Sequence, residues 1–318
     1  MAMSGDQLSE VFSLVEVEGV FSGAVIARGA WVASGPIPHA LKFFVMLSGR
    51  ARLTADGVPE PVELQEGDVG IFNERGWVEL RGGPLDETPR RVEPQLDFPP
   101  SALIGADLRH DDVYVGGRID VDESGAALLR QALPPFSHVR ASAPGGEGLR
   151  ITVRRLFEEL AGQRLGSAFA VRQYGQLLLL EMLRAYLEQA EQPPAGWLRL
   201  LADERLRPAV TMMHREPGRA WGLAELARAC AMSRASFAER FRRVAGMPPL
   251  TYLSKWRMML AQRALADDET RIGSLATRLG YASESAFSNA FKRQIGVSPA
   301  AYRRQLRAGR EEEPARSA

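Results

Sequence analysis

The second half of this chain is similar to itself at a displacement of 50 residues: Phe237 matches Phe287, Phe241 Phe291, Gly246 Gly296, Pro249 Pro299 and Tyr252 Tyr302. Upstream the displacement is 49, pairing Leu226-Ala227 with Leu275-Ala276, so the second copy carries one more residue between these blocks. A fixed self-similarity of this length points to a duplicated structural unit. Each copy has an amphipathic first helix with a small residue, a turn of three or four residues, and a second helix that opens at a serine. Ser233 and Ser283 are placed to accept from backbone donors that lack an intrahelical partner. Ala227 and Ala276 fall where two helices cross closely. Phe237 and Phe241, like Phe287 and Phe291, lie four residues apart and face a small core.

The other face of each second helix is left exposed. The first copy presents Arg234, Ala235, Ala238, Glu239 and Arg242 there, and the second Glu284, Ser285, Ser288, Asn289 and Lys292. Arg and Asn pair with guanine and adenine edges in the major groove, Glu accepts from cytosine, and Ala touches a thymine methyl. The charge distribution supports a nucleic-acid reading. The formal net charge is only +1, yet residues 205–310 carry 20 Lys and Arg against 7 Asp and Glu, while residues 1–204 carry 19 against 29. A basic half joined to an acidic half suits a polyanion-binding module tethered to a different domain, although a solvated basic face would give the same count.

At this density of motif the sequence resembles a known family. Gly280-Tyr281-Ala282-Ser283-Glu284-Ser285-Ala286-Phe287, Phe291-Lys292-Arg293, Gly296-Val297-Ser298-Pro299 and Tyr302-Arg303 are similar to the signature of the AraC/XylS transcription regulators. The first copy joins in through Met232-Ser233-Arg234 and Arg240-Phe241, and Trp256-Arg257 matches the helix that links the units. The resemblance covers about Leu206 to Arg304 and implies two recognition helices in successive major-groove segments of double-stranded promoter DNA, about one turn or ~34 Å apart. It also implies RNA polymerase as a partner. Asn289 stands where the family often has arginine, and Ala231 occupies the first turn where Gly280 occupies the second.

The length of 318 residues favours two domains. From Ala24 to about Arg118, short apolar runs such as Phe43–Leu47, Ala51–Thr54 and Val69–Phe72 are cut by Ser48-Gly49, Asp56-Gly57 and Glu66-Gly67-Asp68, the pattern of strands and hairpins. From Asp122 the period becomes helical, predicting three helices over 122–189 through Ala126, Leu129 and Leu133, then Leu149–Leu160, then Ala168–Leu187. Gln192-Pro193-Pro194-Ala195-Gly196 cannot continue a helix. The expected organisation is a sensor and dimerisation domain over 1–191, a linker over 192–202, an all-α domain over 203–310 and a disordered acidic tail over 311–318. The helices expected in the all-α domain are Asp203–His214, Gly222–Cys230, Ser233–Val244, Pro249–Ala266, Arg271–Leu279, Ser283–Ile295 and Pro299–Arg307.

Residues 24–118 resemble the cupin-type β-barrel, with Leu47-Ser48-Gly49 and Gly67-Asp68-Val69 similar to cupin turns and Leu133-Pro134-Pro135 similar to one subgroup. The fold class expected is therefore α+β, a cupin-like barrel with helices followed by a tandem helix-turn-helix domain. A cupin enzyme holds a divalent metal with several histidines and a glutamate. Here His39 is followed two residues on by Leu41, and Trp77-Val78-Glu79 stands where another histidine belongs, so no metal, cofactor or catalytic residue is expected. His110-Asp111-Asp112 reads as an exposed charged loop, and Cys230 as a small, partly buried residue. With one cysteine, no intrachain disulfide forms and a reducing cytoplasm is the natural compartment.

Met1–Val20 lacks the basic start of a secretory signal, and the run at Leu177–Leu180 is too short to span a bilayer. Ala168, Val171, Gly175, Leu178 and Met182, beside Leu179, Leu183 and Tyr186, form an apolar arc on the third helix of the first domain. Its width suggests either packing against a second subunit in a homodimer or a face used wholly inside its own domain. A small-molecule effector is expected at the same domain. The rival readings are a cupin enzyme with a DNA-binding appendage and a nonspecific architectural DNA binder.

Overall fold

The computed structural model describes residues 8–9, 17–84, 86–96, 106–107, 109–121, 129–162, 164–190, 193–267 and 269–316. The chain divides into a unit Glu16–Pro194 and a unit that contains Ala195–Ala318.

Two sheets build the first unit. One has the order β11-β6-β3-β10-β1-β9, formed by β1 (Val17–Ala27), β3 (Leu41–Ser48), β6 (Val69–Asn73), β9 (Gln95–Leu96), β10 (Asp112–Val121) and β11 (Phe136–Val139). The other has the order β5-β4-β7-β2-β8, formed by β2 (Trp31–Pro36), β4 (Arg50–Ala55), β5 (Val62–Gln65), β7 (Trp77–Gly82) and β8 (Arg90–Arg91). Alternation places Trp31, Leu53, Leu64 and Leu80 of one sheet against Val25, Phe44, Met46, Phe72 and Tyr114 of the other in one buried cluster. Asp112 closes one end of this core: its carboxylate accepts from Trp31 Nε1 at 2.7 Å and from the Arg50 amide at 3.1 Å.

The strand region is longer than the sequence pattern predicts. The β1–β10 ladder runs from Val17↔Val121 to Ala27↔Asp112, beyond the expected limits at Ala24 and Arg118. A further strand, β11, interrupts the stretch read as helical and pairs Phe136–Val139 with Phe72–Val69. Pro134 and Pro135 forbid helix there, and the alternation of Phe136 and His138 with buried Ser137 and Val139 suits an edge strand. Of the first expected helix, residues 129–132 are helical, while Asp122 and Ala126 lie outside the described residues. The other two are α1 (Gly146–Gly162) and α2 (Ser167–Gln189), which pack on each other, with α2 also against β1 and β11.

In the second unit, α3 (Trp197–Ala202), α4 (Arg207–Arg215), α5 (Leu223–Ala229), α6 (Arg234–Ala245) and α7 (Pro249–Leu265) precede α8 (Ile272–Arg278), α9 (Glu284–Ile295) and α10 (Pro299–Arg316). Two expectations are corrected here. Residues 197–202, read as linker, form a helix whose Trp197, Leu198 and Leu200 are buried, because six residues beside α6 gain from packing what they lack in length. At the other end the last helix runs past the expected limit at Arg307, to Arg316. No Gly or Pro interrupts Gln305–Ala308, and Gly309 alone does not stop a helix already formed.

Candidate nucleic-acid interface

Each copy of the repeat folds as two helices across a tight turn: α5 and α6 around Cys230–Ser233, α8 and α9 around Leu279–Ser283. Ser233 Oγ accepts from the Ser236 amide and Ser283 Oγ from the Ala286 amide, each at 3.1 Å, so both second helices are capped as their serines require. Gly246 and Gly296 end them in the left-handed conformation, at φ 72° and 94°. Ala227 and Ala276 are buried at the helix crossings, and their carbonyls accept from Met232 and Tyr281 across the turn. Phe237 and Phe241 fill one core, Phe287 and Phe291 the other, all fully buried. Removing either pair member would cost about 3–5 kcal/mol by the usual cavity cost.

That packing decides what faces outward. Arg234, Ala235, Glu239 and Arg242 on α6, and Glu284, Ser285, Asn289 and Lys292 on α9, are exposed, while Ala238 and Ser288 are half-buried beside them. The structure therefore brings the ten expected residues together as two equivalent helix faces. Their side chains are not equally free. Glu284 leans over Gly273 of α8, where a Cβ would lie 2.9 Å from its carboxylate, and Ser285 Oγ shares a hydrogen bond with Ser283 Oγ at 2.9 Å. Among the described residues, Glu239 makes no ion pair with Arg242 or Arg243. Arg240, on the inward side, is held by Asp203 at 2.8 Å, a carboxylate that also accepts from the Arg205 and Leu206 amides.

Sequence reasoning missed several neighbours. Arg243 and Arg293 are exposed one position beyond Arg242 and Lys292, and the paired cations at each place were the available signal. Leu250, 49% exposed, joins Leu223, Ala238, Glu239, Arg242 and Arg243 around an open groove beside α6. Nothing in the hydrophobic period marks Leu250 as a surface residue.

The first unit offers different chemistry. His39 is half-buried, and among the described residues no three His, Cys, Asp or Glu side chains come together as a metal-holding group. The His110-Asp111-Asp112 segment is committed elsewhere: His110 to Asp107 at 2.7 Å, Asp111 to Arg28 at 2.8 Å, and Asp112 to Trp31. Between the end strands β5 and β11 lies an open groove of ≈590 Å³, whose lining includes Val62, Gln65, Phe136, His138 and Arg140. His138 Nε2 meets buried Asp68 at 2.9 Å, and the same carboxylate accepts from the Gln65 and Ala141 amides. Cys230 is buried, and burial raises its thiol pKa, as suits an inert packing residue. No helix among the described residues is long and apolar enough to cross a membrane.

Two capped helix-turn-helix pairs on a basic unit, preceded by a two-sheet unit, define a DNA-binding transcription regulator with a separate N-terminal domain. A cupin family model matches residues 6–188 and a helix-turn-helix domain model residues 226–305. A putative AraC-like transcription regulator of Streptomyces lividans is 34% identical over 94% of this chain and 98% of its own length, and one of Streptomyces antibioticus 33% over 94% and 98%. The crystal structure of the DNA-binding domain of AdpA, described as the global transcriptional factor, in complex with a target DNA is 34% identical, covering 35% of this chain and 99% of that one, at a TM-score of 0.33. The chain belongs to the AraC-like transcription regulators.

Proposed function

We propose that this regulator reads its operator through Arg234, Ala235, Ala238, Glu239 and Arg242 on α6 and Glu284, Ser285, Ser288, Asn289 and Lys292 on α9, with no enzymatic step and no bound cofactor. The observation that carries the reading is the equivalence of the two helix faces: Arg242 and Lys292 each follow the second core Phe, and Glu239 and Asn289 sit at matching exposed places. A long cation at the first of these places reaches a phosphate, whereas Asn289 lies on the groove-facing side. Loss of a phosphate contact weakens all sequences alike, and loss of a base contact costs about 1–3 kcal/mol at one base pair. Asn289→Ala is expected to relax choice at one position. Lys292→Ala is expected to lower affinity generally and reduce the salt slope by about one. Binding-site selection on the two variants is the test, and an unchanged preference profile for Asn289→Ala would remove that residue from base reading.

The cupin unit senses a small-molecule signal and pairs two copies of the chain, and the DNA-bound form acts on RNA polymerase. The groove between β5 and β11, with an aromatic ring and an imidazole on β11 and the Arg140 guanidinium just past its end, supports the sensing role. For pairing, most of the apolar arc on α2 serves the internal alternative, since Gly175, Leu178, Leu179, Met182, Leu183 and Tyr186 are buried, while Val171 is half-buried and Ala168 exposed. Among the described residues, the large apolar side chains exposed on these two helices are Phe169 (62%) and Leu177 (46%) on α2 and Ile151 (57%) on α1. The double variant Phe169→Glu, Leu177→Glu is expected to sediment as a monomer under conditions where the parent is a dimer. An unchanged dimer would move the interface elsewhere.

A further inference from the structure

The two helix-turn-helix units meet at a joint that neither core requires. In the loop between α4 and α5, Gly218 presses its backbone against Gly280 in the turn of the second unit: a Cβ on Gly280 would overlap the Gly218 carbonyl, and one on Gly218 would overlap the Arg278 carbonyl. Gly280 has φ 79°, and its equivalent in the first turn, Ala231, holds φ 51° with a side chain. The left-handed turn alone therefore tolerates alanine in this fold. Contact with the first unit is the additional reason the second turn has glycine.

Arg257, midway along the linking helix α7, locks the same place. Its Nε donates to the Pro217 carbonyl at 2.5 Å and its Nη2 to the Arg219 carbonyl at 2.9 Å, on either side of Gly218. Its guanidinium also stands 5.8 Å from the Tyr281 ring centre, and Tyr281 packs edge-on against core Phe287 at 5.4 Å. The loop is fixed to the first unit in turn: the Arg219 guanidinium lies 4.1 Å from the Trp221 ring centre and pairs with Glu225 of α5 at 2.6 Å. A continuous set of contacts thus runs from α5 through the 217–219 loop and Arg257 to the turn that starts α9. A guanidinium fits the task, because its planar fork directs several donors at fixed angles.

We infer that Arg257 is a positioning residue that sets the distance and rotation between the two recognition helices, so that operator choice includes a strict count of the base pairs between the two half-elements. The inference rests on both helices reading DNA, as proposed above. One extra base pair rotates the second half-element by about a tenth of a turn and moves it by about 3.4 Å. A joint held by paired hydrogen bonds and backbone contact does not follow that shift, whereas two units joined by α7 alone would adapt.

The test uses the full chain and the operator obtained by binding-site selection, together with versions carrying one base pair inserted or removed between the half-elements. The parent is expected to lose about 100-fold in affinity on the altered spacings, the scale of losing contacts to one or two base pairs. Arg257→Ala is expected to narrow that penalty to less than about 10-fold, and Arg257→Lys to fall between. A residue that merely stabilised the fold would lower affinity for all spacings and leave their ratio unchanged, so the ratio is the readout. Thermal melts of both variants identify any that fail to fold, and the Lys variant retains charge and length if the Ala variant does. A parent indifferent to spacing on an operator with two half-elements would overturn the fixed joint, whereas a selected operator with a single half-element would overturn tandem reading itself. A sensitive parent with equally sensitive Arg257 variants would overturn the role of Arg257 alone.

Discussion

A fragment that starts at Ala195 and ends at Arg316 is expected to bind operator DNA unaided and to lose roughly three to five orders of magnitude in affinity between about 50 and 200 mM salt, the range for a protein that neutralises about 6–10 phosphates. The excess of 20 basic over 7 acidic residues in 205–310 supplies the field. Its disposition matters more than its size. Arg240 is held by Asp203, whereas Arg234, Arg242, Arg243, Lys292 and Arg293 are all exposed on α6 and α9. Salt releases no advantage from a cation already paired within the protein, so the slope reports the free set. The starting residue also follows from packing. A fragment cut at Asp203 removes buried Trp197, Leu198 and Leu200 and the Gly196 amide that donates to the Val244 carbonyl at the end of α6. Each such side chain contributes about 1.5–3 kcal/mol by burial, so the shorter fragment is expected to melt markedly lower. A salt titration of the longer fragment with constant affinity would refute phosphate-dominated binding.

The recognition module was legible because its geometry is imposed locally. A capping serine, a pair of phenylalanines one helical turn apart and a glycine at the helix end each state their role within a dozen residues, and the repeat states them twice. What escaped depends on partners distant in sequence. Gly218 carries no local signal, since its requirement comes from Gly280, on the far side of α7. Phe136–Val139 is a strand because β6 accepts it, and Trp197–Ala202 a helix because α6 covers it; neither is long enough to announce itself by periodicity. The apolar arc on α2 was visible, but one sequence does not say which side of a helix its own domain covers. The cupin resemblance anticipated the strand-built first domain, while the groove at β5 and β11 arises from how two sheet ends face each other.

Acid is expected to destabilise the DNA-binding unit through one residue of α4. His214 is buried, its ring stacked on Trp256 at 3.7 Å between centres and 5° between planes, with Nε2 at 2.8 Å from the Tyr252 hydroxyl. Burial lowers its pKa to about 3, since an imidazolium there would lose its hydration. The unfolded chain titrates near the ordinary value of about 6.5 and binds a proton that the folded unit refuses. Stability that is complete above about pH 6.5 therefore falls as pH decreases, by about 1.4 kcal/mol per pH unit, and continues to fall toward pH 3. Between about pH 6.5 and 4.5 the loss from this residue alone approaches ~2 kcal/mol, a large share of an ordinary domain's stability. Carboxylates add their own dependence in this range, so the comparison is with His214→Gln, which retains a donor for Tyr252 and does not titrate. Tyr252 and Trp256 both belong to α7, so the same proton that loosens the stack loosens the helix that carries Arg257. Denaturant unfolding of the Ala195–Arg316 fragment at the two pH values, followed by tryptophan fluorescence, is expected to show a steeper acid loss for the parent than for His214→Gln. Parallel pH profiles for the two proteins would mean that His214 is protonated in the folded unit, against the burial argument made for it.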